Sequence, residues 1–208
     1  MPDTQRQPVT RIAQLELRDE ERLVKEGYEL LDEKRIRLVA EIRVQLERLR
    51  HWQTAAQSEQ HHARSSLEAA LSRHGLEELS VYPAASAADL SLKFTHARLF
   101  GLELLEAQWR AAAAPTQERP IIPSPEARAC ARDHRALLEP IVNAAACGVN
   151  LRRLMREYVR TERRARAIEN VLLPEIKGSL KFIDEQLEIL DQEEIARVRQ
   201  RRPRDAPG

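Results

Sequence analysis

Two long stretches of this chain place apolar residues at steps of three and four, with charged residues filling most positions between. In the C-terminal one, Val149 to Val198, the stripe runs through Leu151, Leu154, Tyr158, Ala165, Ile168, Leu172, Ile176, Leu180, Ile183, Leu187 and Leu190. A stripe this narrow and this long predicts a coiled-coil seam rather than one face of a globular core. From Ile168 three steps of four follow one another, through Leu172 and Ile176 to Leu180, where strict heptads would alternate. The surplus is a phase shift that locally unwinds a left-handed supercoil. Pro174 sits inside it and removes one helix hydrogen bond, so a loosened turn is expected there. The N-terminal stretch indexes more strictly, with Tyr28, Arg35, Ile42, Leu49 and Ala56 at one seam position. Leu17, Val24, Leu31, Leu38, Gln45 and Trp52 occupy the other. Arg35 and Gln45 interrupt the seam, as polar residues that set register do.

Thr10 is suited to cap the first helix, and Met1 to Val9, with Pro2 and Pro8, is expected to fray. The first helix should stop at His74-Gly75 on a glycine cap. Beyond it, Leu90, Leu92 and Phe94 alternate with polar residues at the period of a strand. A second apolar run, Leu99 to Leu105, follows, with a strand and a helix over Leu99 to Arg110 as its two readings. Pro115, Pro120, Pro123 and Pro125 mark a linker. Ser124-Pro125-Glu126 then has the cap, first-turn proline and acid of a helix start, and Pro140 is expected to kink that helix. The expected organisation is a single elongated domain: a coiled-coil helix over 10–74, a central insert over 75–125, and a second coiled-coil helix over 126–202, kinked near Pro140 and Pro174. The fold class is mainly α, a long antiparallel two-helix coiled coil with a short β-hairpin in its insert.

Composition sharpens this. Of 208 residues, 32% are charged and 4% aromatic, a balance that suits long helices better than a globular enzyme. The formal net charge of +1 supplies no global field toward nucleic acid or an anionic membrane. The two cysteines, Cys130 and Cys147, have no metal spacing and fit a reduced, cytoplasmic setting. The N-terminus has no secretory core, and no run reaches the roughly 18 apolar residues a membrane span needs. Lys177-Gly178-Ser179 has the wrong order for a phosphate loop. His61 and His62 are adjacent on a helix, so they point about 100° apart and are poorly placed to share a metal. Neither cysteine has a His and an orienting acid in a nucleophile's arrangement, and Trp52 and Trp109 read as packing anchors. No cofactor is expected.

One charge feature stands out. Arg152, Arg156, Arg160 and Arg164 lie four apart on one helix face, with Arg153, Arg163 and Arg166 beside them. A solvated face is one reading and contact with an acidic protein partner another. A nucleic-acid stripe is disfavoured by Glu157 and Glu162 among the arginines. An acidic block from Glu175 to Glu194 follows, and Arg197 to Arg204 closes the helix with charge that suits its negative end.

The segment Thr161-Glu162-Arg163-Arg164-Ala165-Arg166-Ala167-Ile168-Glu169-Asn170-Val171-Leu172-Leu173-Pro174-Glu175-Ile176 resembles the C-terminal motif of the D subunit of rotary V/A-type ATPases, Thr-x-Arg-Arg-Val-Asn-Ala-Leu-Glu-x-Val-x-Ile-Pro-x-Ile. Ala165 and Arg166 stand where that family usually has Val-Asn. Gly27-Tyr28-Glu29-Leu30-Leu31-Asp32-Glu33-Lys34-Arg35, with Leu38 after it, is similar to the family's Gly-x-x-Leu-Leu-x-x-Lys-Arg-x-x-Leu, while Gln14 and Glu21 replace family leucines. Phe100-Gly101-Leu102-Glu103-Leu104 resembles a strand of the family's hairpin. The resemblance implies a non-catalytic rotor shaft in the central stalk, turning inside a catalytic hexamer of A and B subunits. It pairs with the F subunit and meets the membrane rotor through the stalk base. The location implied is cytoplasmic and peripheral to the membrane, with no membrane insertion and no nucleic acid bound. Arg152, Arg156, Arg160, Arg163, Arg164, Ile168 and Glu169 are then the candidate partner contacts. Val24, Leu31, Leu38, Ile42, Leu49, Leu172, Ile176, Leu180, Ile183 and Leu187 form the candidate seam. The rival reading is a free-standing coiled-coil scaffold or adaptor.

Overall fold

The computed structural model describes residues 9–80, 82, 90–111 and 124–201. Met1 to Pro8 and the linker prolines Pro115, Pro120 and Pro123 lie outside them. In chain order the elements are α1 (Arg11–Ser80), β1 (Leu90–Leu99), β2 (Leu102–Ala111), α2 (Pro125–Ala167), a π-helical turn (Ile168–Leu172) and α3 (Leu173–Arg201). Two compact units result: residues 1–36 with 159–208, and residues 37–158.

α1 starts as its sequence dictates. Thr10 Oγ1 accepts the Ala13 N–H at 3.1 Å, and the Thr10 carbonyl accepts that of Gln14. Along its length Leu17, Glu21, Val24, Tyr28, Leu31, Arg35, Leu38, Ile42, Gln45, Leu49, Trp52, Ala56, Glu59, Ala63, Ser66 and Ala70 are all buried or half-buried. Steps of four and three alternate through that whole set without a break, which keeps one seam facing a partner. The helix breaks where expected: Gly75 leaves the helical region at φ +70°, ψ 174°, and a second helical stretch runs on beyond it to Ser80. Glycine reaches this φ at little steric cost.

In the first unit α1 runs antiparallel to α3. Ala13 and Leu17 pack with Ile176, Leu180 and Ile183, and Val24 and Leu187 close over them. Arg11 meets Asp191 at 3.1 Å, and Arg18 meets Asp184 at 3.7 Å. These surface pairs set direction more than they add stability. In the second unit α1 runs antiparallel to α2, and the core is Leu38 and Leu154, both fully buried, with Leu104 of β2. Toward the far end of α1 the seam narrows to Ala63 and Ala70, and Ala127 is buried on α2. Ser124 caps α2, its Oγ accepting the Ala127 N–H at 3.0 Å, and α2 continues through Pro140, which is buried.

The hairpin is present, and the helical alternative over Leu99 to Arg110 is excluded. β1 and β2 pair antiparallel from Leu90 opposite Ala111 to Leu99 opposite Leu102. Phe100 and Gly101 form the two-residue turn, both at positive φ (+48° and +79°), as a turn matching strand twist requires. The Phe100-Gly101 pair expected within a strand is therefore the turn, and β2 begins at Leu102.

Candidate interaction interface

An ionic cluster occupies the seam of the first unit. Arg35, at a seam position on α1, donates to Glu162 Oε2 on α2 at 2.8 Å and also to Asp32 one turn back. Arg166 donates to Glu162 Oε1 at 2.8 Å, so each carboxylate oxygen of Glu162 accepts a guanidinium hydrogen bond. The hydrogen bond from Arg35 holds the Glu162 carboxyl below its ordinary range against the opposing effect of burial, with Arg166 adding to it. The same contact raises the Arg35 guanidinium. Arg160, Arg163 and Arg164 point to solvent around this cluster.

One turn further the α-helix opens into the π turn. The Leu173 N–H bonds to the Ile168 carbonyl, five residues back rather than four. Pro174 follows and has no N–H to give, so the extra residue falls where an α-helical hydrogen bond would be lost anyway. Ile168 is half-buried, and Glu169 and Val171 are exposed. Leu172, expected in the seam, is instead 36% exposed, because the widened turn rotates it outward. The seam resumes at Ile176. Of the other expected seam residues, Leu38, Ile176, Leu180 and Ile183 are buried, and Val24, Leu31, Ile42, Leu49 and Leu187 are half-buried.

In the second unit Asn150 of α2 is 2% exposed and grips the free edge of β2. Its Oδ1 accepts the Leu105 N–H at 2.7 Å and its Nδ2 donates to the Leu105 carbonyl at 2.8 Å. Buried Gln45 of α1 accepts a longer bond, 3.5 Å, from the same Nδ2. Arg153 donates to the Glu103 carbonyl at 2.6 Å, two residues along that edge. The Arg37 guanidinium lies 5.5 Å from the Phe100 ring centroid at the turn. An open cleft of about 580 Å³ beside this clamp is lined by Gln45, Trp52, Leu105, Cys147 and Asn150, among others. Arg152 and Arg156 stay exposed on α2.

Sequence reasoning singled out the arginines but missed Asn150 and Glu162. A lone Asn on an apolar stripe was the available signal for the first. The spacing of Glu162 four before Arg166 was the signal for the second. Neither could reveal its long-range partner.

No group of three or more His, Cys, Asp or Glu among the described residues could hold a metal. Burial pushes both cysteine thiols up, which disfavours the thiolate a nucleophile needs. His61 and His62 are exposed. No described helix is long and apolar enough to cross a membrane.

The family model for the D subunit of ATP synthase matches residues 13–201. The D subunit of a V-type ATP synthase from Thermotoga neapolitana is 26% identical over 183 residues, covering 88% of this chain and 90% of that relative. Its namesake from Anaeromyxobacter sp. (strain K) is 27% identical over 202 residues, covering 96% of this chain and 97% of that one. The D subunit of an A-type ATP synthase from Pyrococcus furiosus is 32% identical over a shorter stretch of 63 residues, 30% of this chain and 29% of its own length.

Proposed function

This chain belongs to the ATP synthase D-subunit family of V/A-type rotary complexes, and we propose that within such a complex it is the non-catalytic central rotor shaft. The observation that carries the proposal is the family match from residue 13 to 201, which takes in both long helices and the hairpin. The helices support it physically. Buried and half-buried residues recur at heptad spacing along α1 from Leu17 to Ala70, the pattern of a helix paired with another. The outer faces are densely charged, which suits a shaft that must pass several similar surfaces without adhering to one.

In this role the chain transmits torque between an ATP-hydrolysing or ATP-synthesising hexamer of A and B subunits and the membrane ion-translocating rotor, and it binds the F subunit lower on the stalk. It lies on the cytoplasmic side, peripheral to the membrane. Exposed Arg152, Arg156, Arg160, Arg163 and Arg164 offer guanidinium groups to acidic faces of those partners, with Ile168 and Glu169 at the adjoining π turn.

The test is reconstitution. The purified chain is mixed with the A, B and F subunits of the same organism. Assembly is scored by size-exclusion chromatography and mass photometry, and ATP-driven ion transport is scored once the membrane sector is added. Co-assembly in one copy per hexamer, with transport dependent on the chain, is expected. A chain with no affinity for the hexamer or for F would overturn the shaft reading in favour of a free-standing coiled-coil scaffold.

A further inference from the structure

β1 has the features of a strand built to receive another. It runs ten residues with unbroken register against β2, without proline or bulge, two of the devices that blunt a sheet edge. β2 lies between β1 and α2, since Asn150 and Arg153 hold its far edge through Leu105 and Glu103. The sheet has two strands, so the far side of β1 has no backbone partner among the described residues. Leu92 to Arg98 are all exposed, whereas in β2 Leu102, Leu104, Leu105, Ala107 and Trp109 are buried or half-buried.

The clamp also fixes which backbone groups of β1 face outward. Leu105 turns its N–H and C=O away from β1 to meet Asn150, so the Leu105–His96 pair is of the non-hydrogen-bonded kind. His96 therefore points its own N–H and C=O away from β2. The same alternation applies to Leu92, Phe94 and Arg98. Four residues thus present open donors and acceptors along one edge. Their side chains share the face opposite the core contact of Leu99, Leu102 and Leu104. On that face Leu92 is 40% and Phe94 53% exposed.

Charge selects the occupant. From Leu90 to Leu99 the strand carries Lys93, His96 and Arg98 and no acid. Glu103 across the hairpin answers Arg98 at 3.7 Å and stands 4.0 Å from His96. Lys93 has no ion pair among the described residues. A second copy adding its own β1 would bring another set of these cations into one sheet without an acid on either joining strand. Like charges at neighbouring positions are destabilising. A strand carrying glutamates or aspartates would instead answer Lys93 and leave its apolar side chains to cover Leu92 and Phe94.

We propose that the open edge of β1 is a strand-addition site for an extended, acid-bearing segment of a partner protein. The site goes beyond the shaft reading, since it lies on the hairpin and requires no rotation.

The probe is a blocked, fluorescein-labelled decapeptide of alternating Val and Glu, matched to the ten-residue strand, with a Val-Lys decapeptide as its counterpart. Fluorescence anisotropy on the full chain measures binding, and amide hydrogen exchange reads β1 residue by residue. The Val-Glu peptide should bind about tenfold tighter than Val-Lys and protect the Phe94, His96 and Arg98 amides, leaving the Thr95 amide unchanged. His96→Pro removes an outward donor without touching the β1–β2 ladder, and should weaken Val-Glu binding about tenfold. Lys93→Glu leaves the Arg98–Glu103 pair across the hairpin in place and should reverse the preference toward Val-Lys. Equal binding of both peptides, or no protection at the three outward amides, overturns the proposal. Protection of those amides without peptide also overturns it: growing with protein concentration, it would mean a second copy fills the edge. Independent of concentration, it would mean another segment of this chain does.

Discussion

Glu162 shows how much of this molecule rests on single polar residues placed at a seam. Its carboxylate is tied to Arg35 on the facing helix and to Arg166 on its own, and its pKa is depressed chiefly by the Arg35 hydrogen bond. A carboxyl whose folded pKa lies below its unfolded one adds stability above the unfolded value and loses it as pH falls through the folded one. Glu162→Gln should therefore melt below wild type at neutral pH. The gap should close under acid, once the pH has dropped beneath the ordinary carboxylate range and through the depressed value. Thermal melts of both proteins across that window check it, and a gap independent of pH would refute the ionic account. Asn150 makes a different kind of contact, neutral and fully buried. Asn150→Ala leaves the Leu105 N–H and C=O without their partner, at about 1–3 kcal/mol, and the Leu105 amide should exchange faster while the α1–α2 seam stays protected. The sequence announced Arg35 and Gln45 as breaks in an apolar stripe. It could not announce that they answer Glu162 and Asn150, because 127 and 105 residues separate the partners and no local pattern encodes such a pairing.

At the scale of elements, legibility followed periodicity. α1 was readable because each seam residue predicts the next, and the structure carries the same alternation on to Ala70. The surplus step after Ile168 was readable as a count, but not as a π turn. Ile168 and Ile176 are eight residues apart, which in an ideal helix leaves Ile176 about 80° off the seam; one i→i+5 turn absorbs the excess and places it beside Pro174. The hairpin was only half legible. Leu90, Leu92 and Phe94 alternate plainly, whereas β2 continues through Glu106-Ala107-Gln108-Trp109 without a β-branched residue, and Phe100 is not a residue that advertises a positive-φ turn. The π turn has a direct test. Deleting Val171, which is 53% exposed, together with Pro174→Ala brings Ile176 seven residues from Ile168 and restores the missing N–H. The helix should then run α-helically through this point, with slower amide exchange from Ala165 to Ile176. The stability gain is at most the roughly 3 kcal/mol a proline costs in a helix interior. A variant that melts lower than wild type would show that the extra residue is required by the packing on either side.

For the whole chain, the long helices spend their residues on seams and charged outer faces, and the family match spans both of them. On the shaft proposal, one part should matter for coupling while contributing almost nothing to folding: the end of α3. Arg11 at the start of α1 pairs with Asp191, and every residue from Gln192 to Gln200 is exposed. Ile195 and Val198 there are 54% and 57% exposed, apolar residues without a covering helix among the described elements. Removing the chain from Gln192 onward thus breaks no buried contact among the described residues, and stability should stay within about 0.5 kcal/mol, as for surface changes generally. Binding to F should be retained, because on this proposal F sits lower on the stalk. Coupling should not survive, since this tip is the part that would enter the hexamer. The truncated and full chains, each reconstituted with hexamer, F and membrane sector, are compared for assembly, ATP hydrolysis and ion transport. Intact assembly with ATP hydrolysis no longer matched by transport is the expected result. Transport at the full-length level would mean that torque reaches this chain elsewhere than through its C-terminal helix.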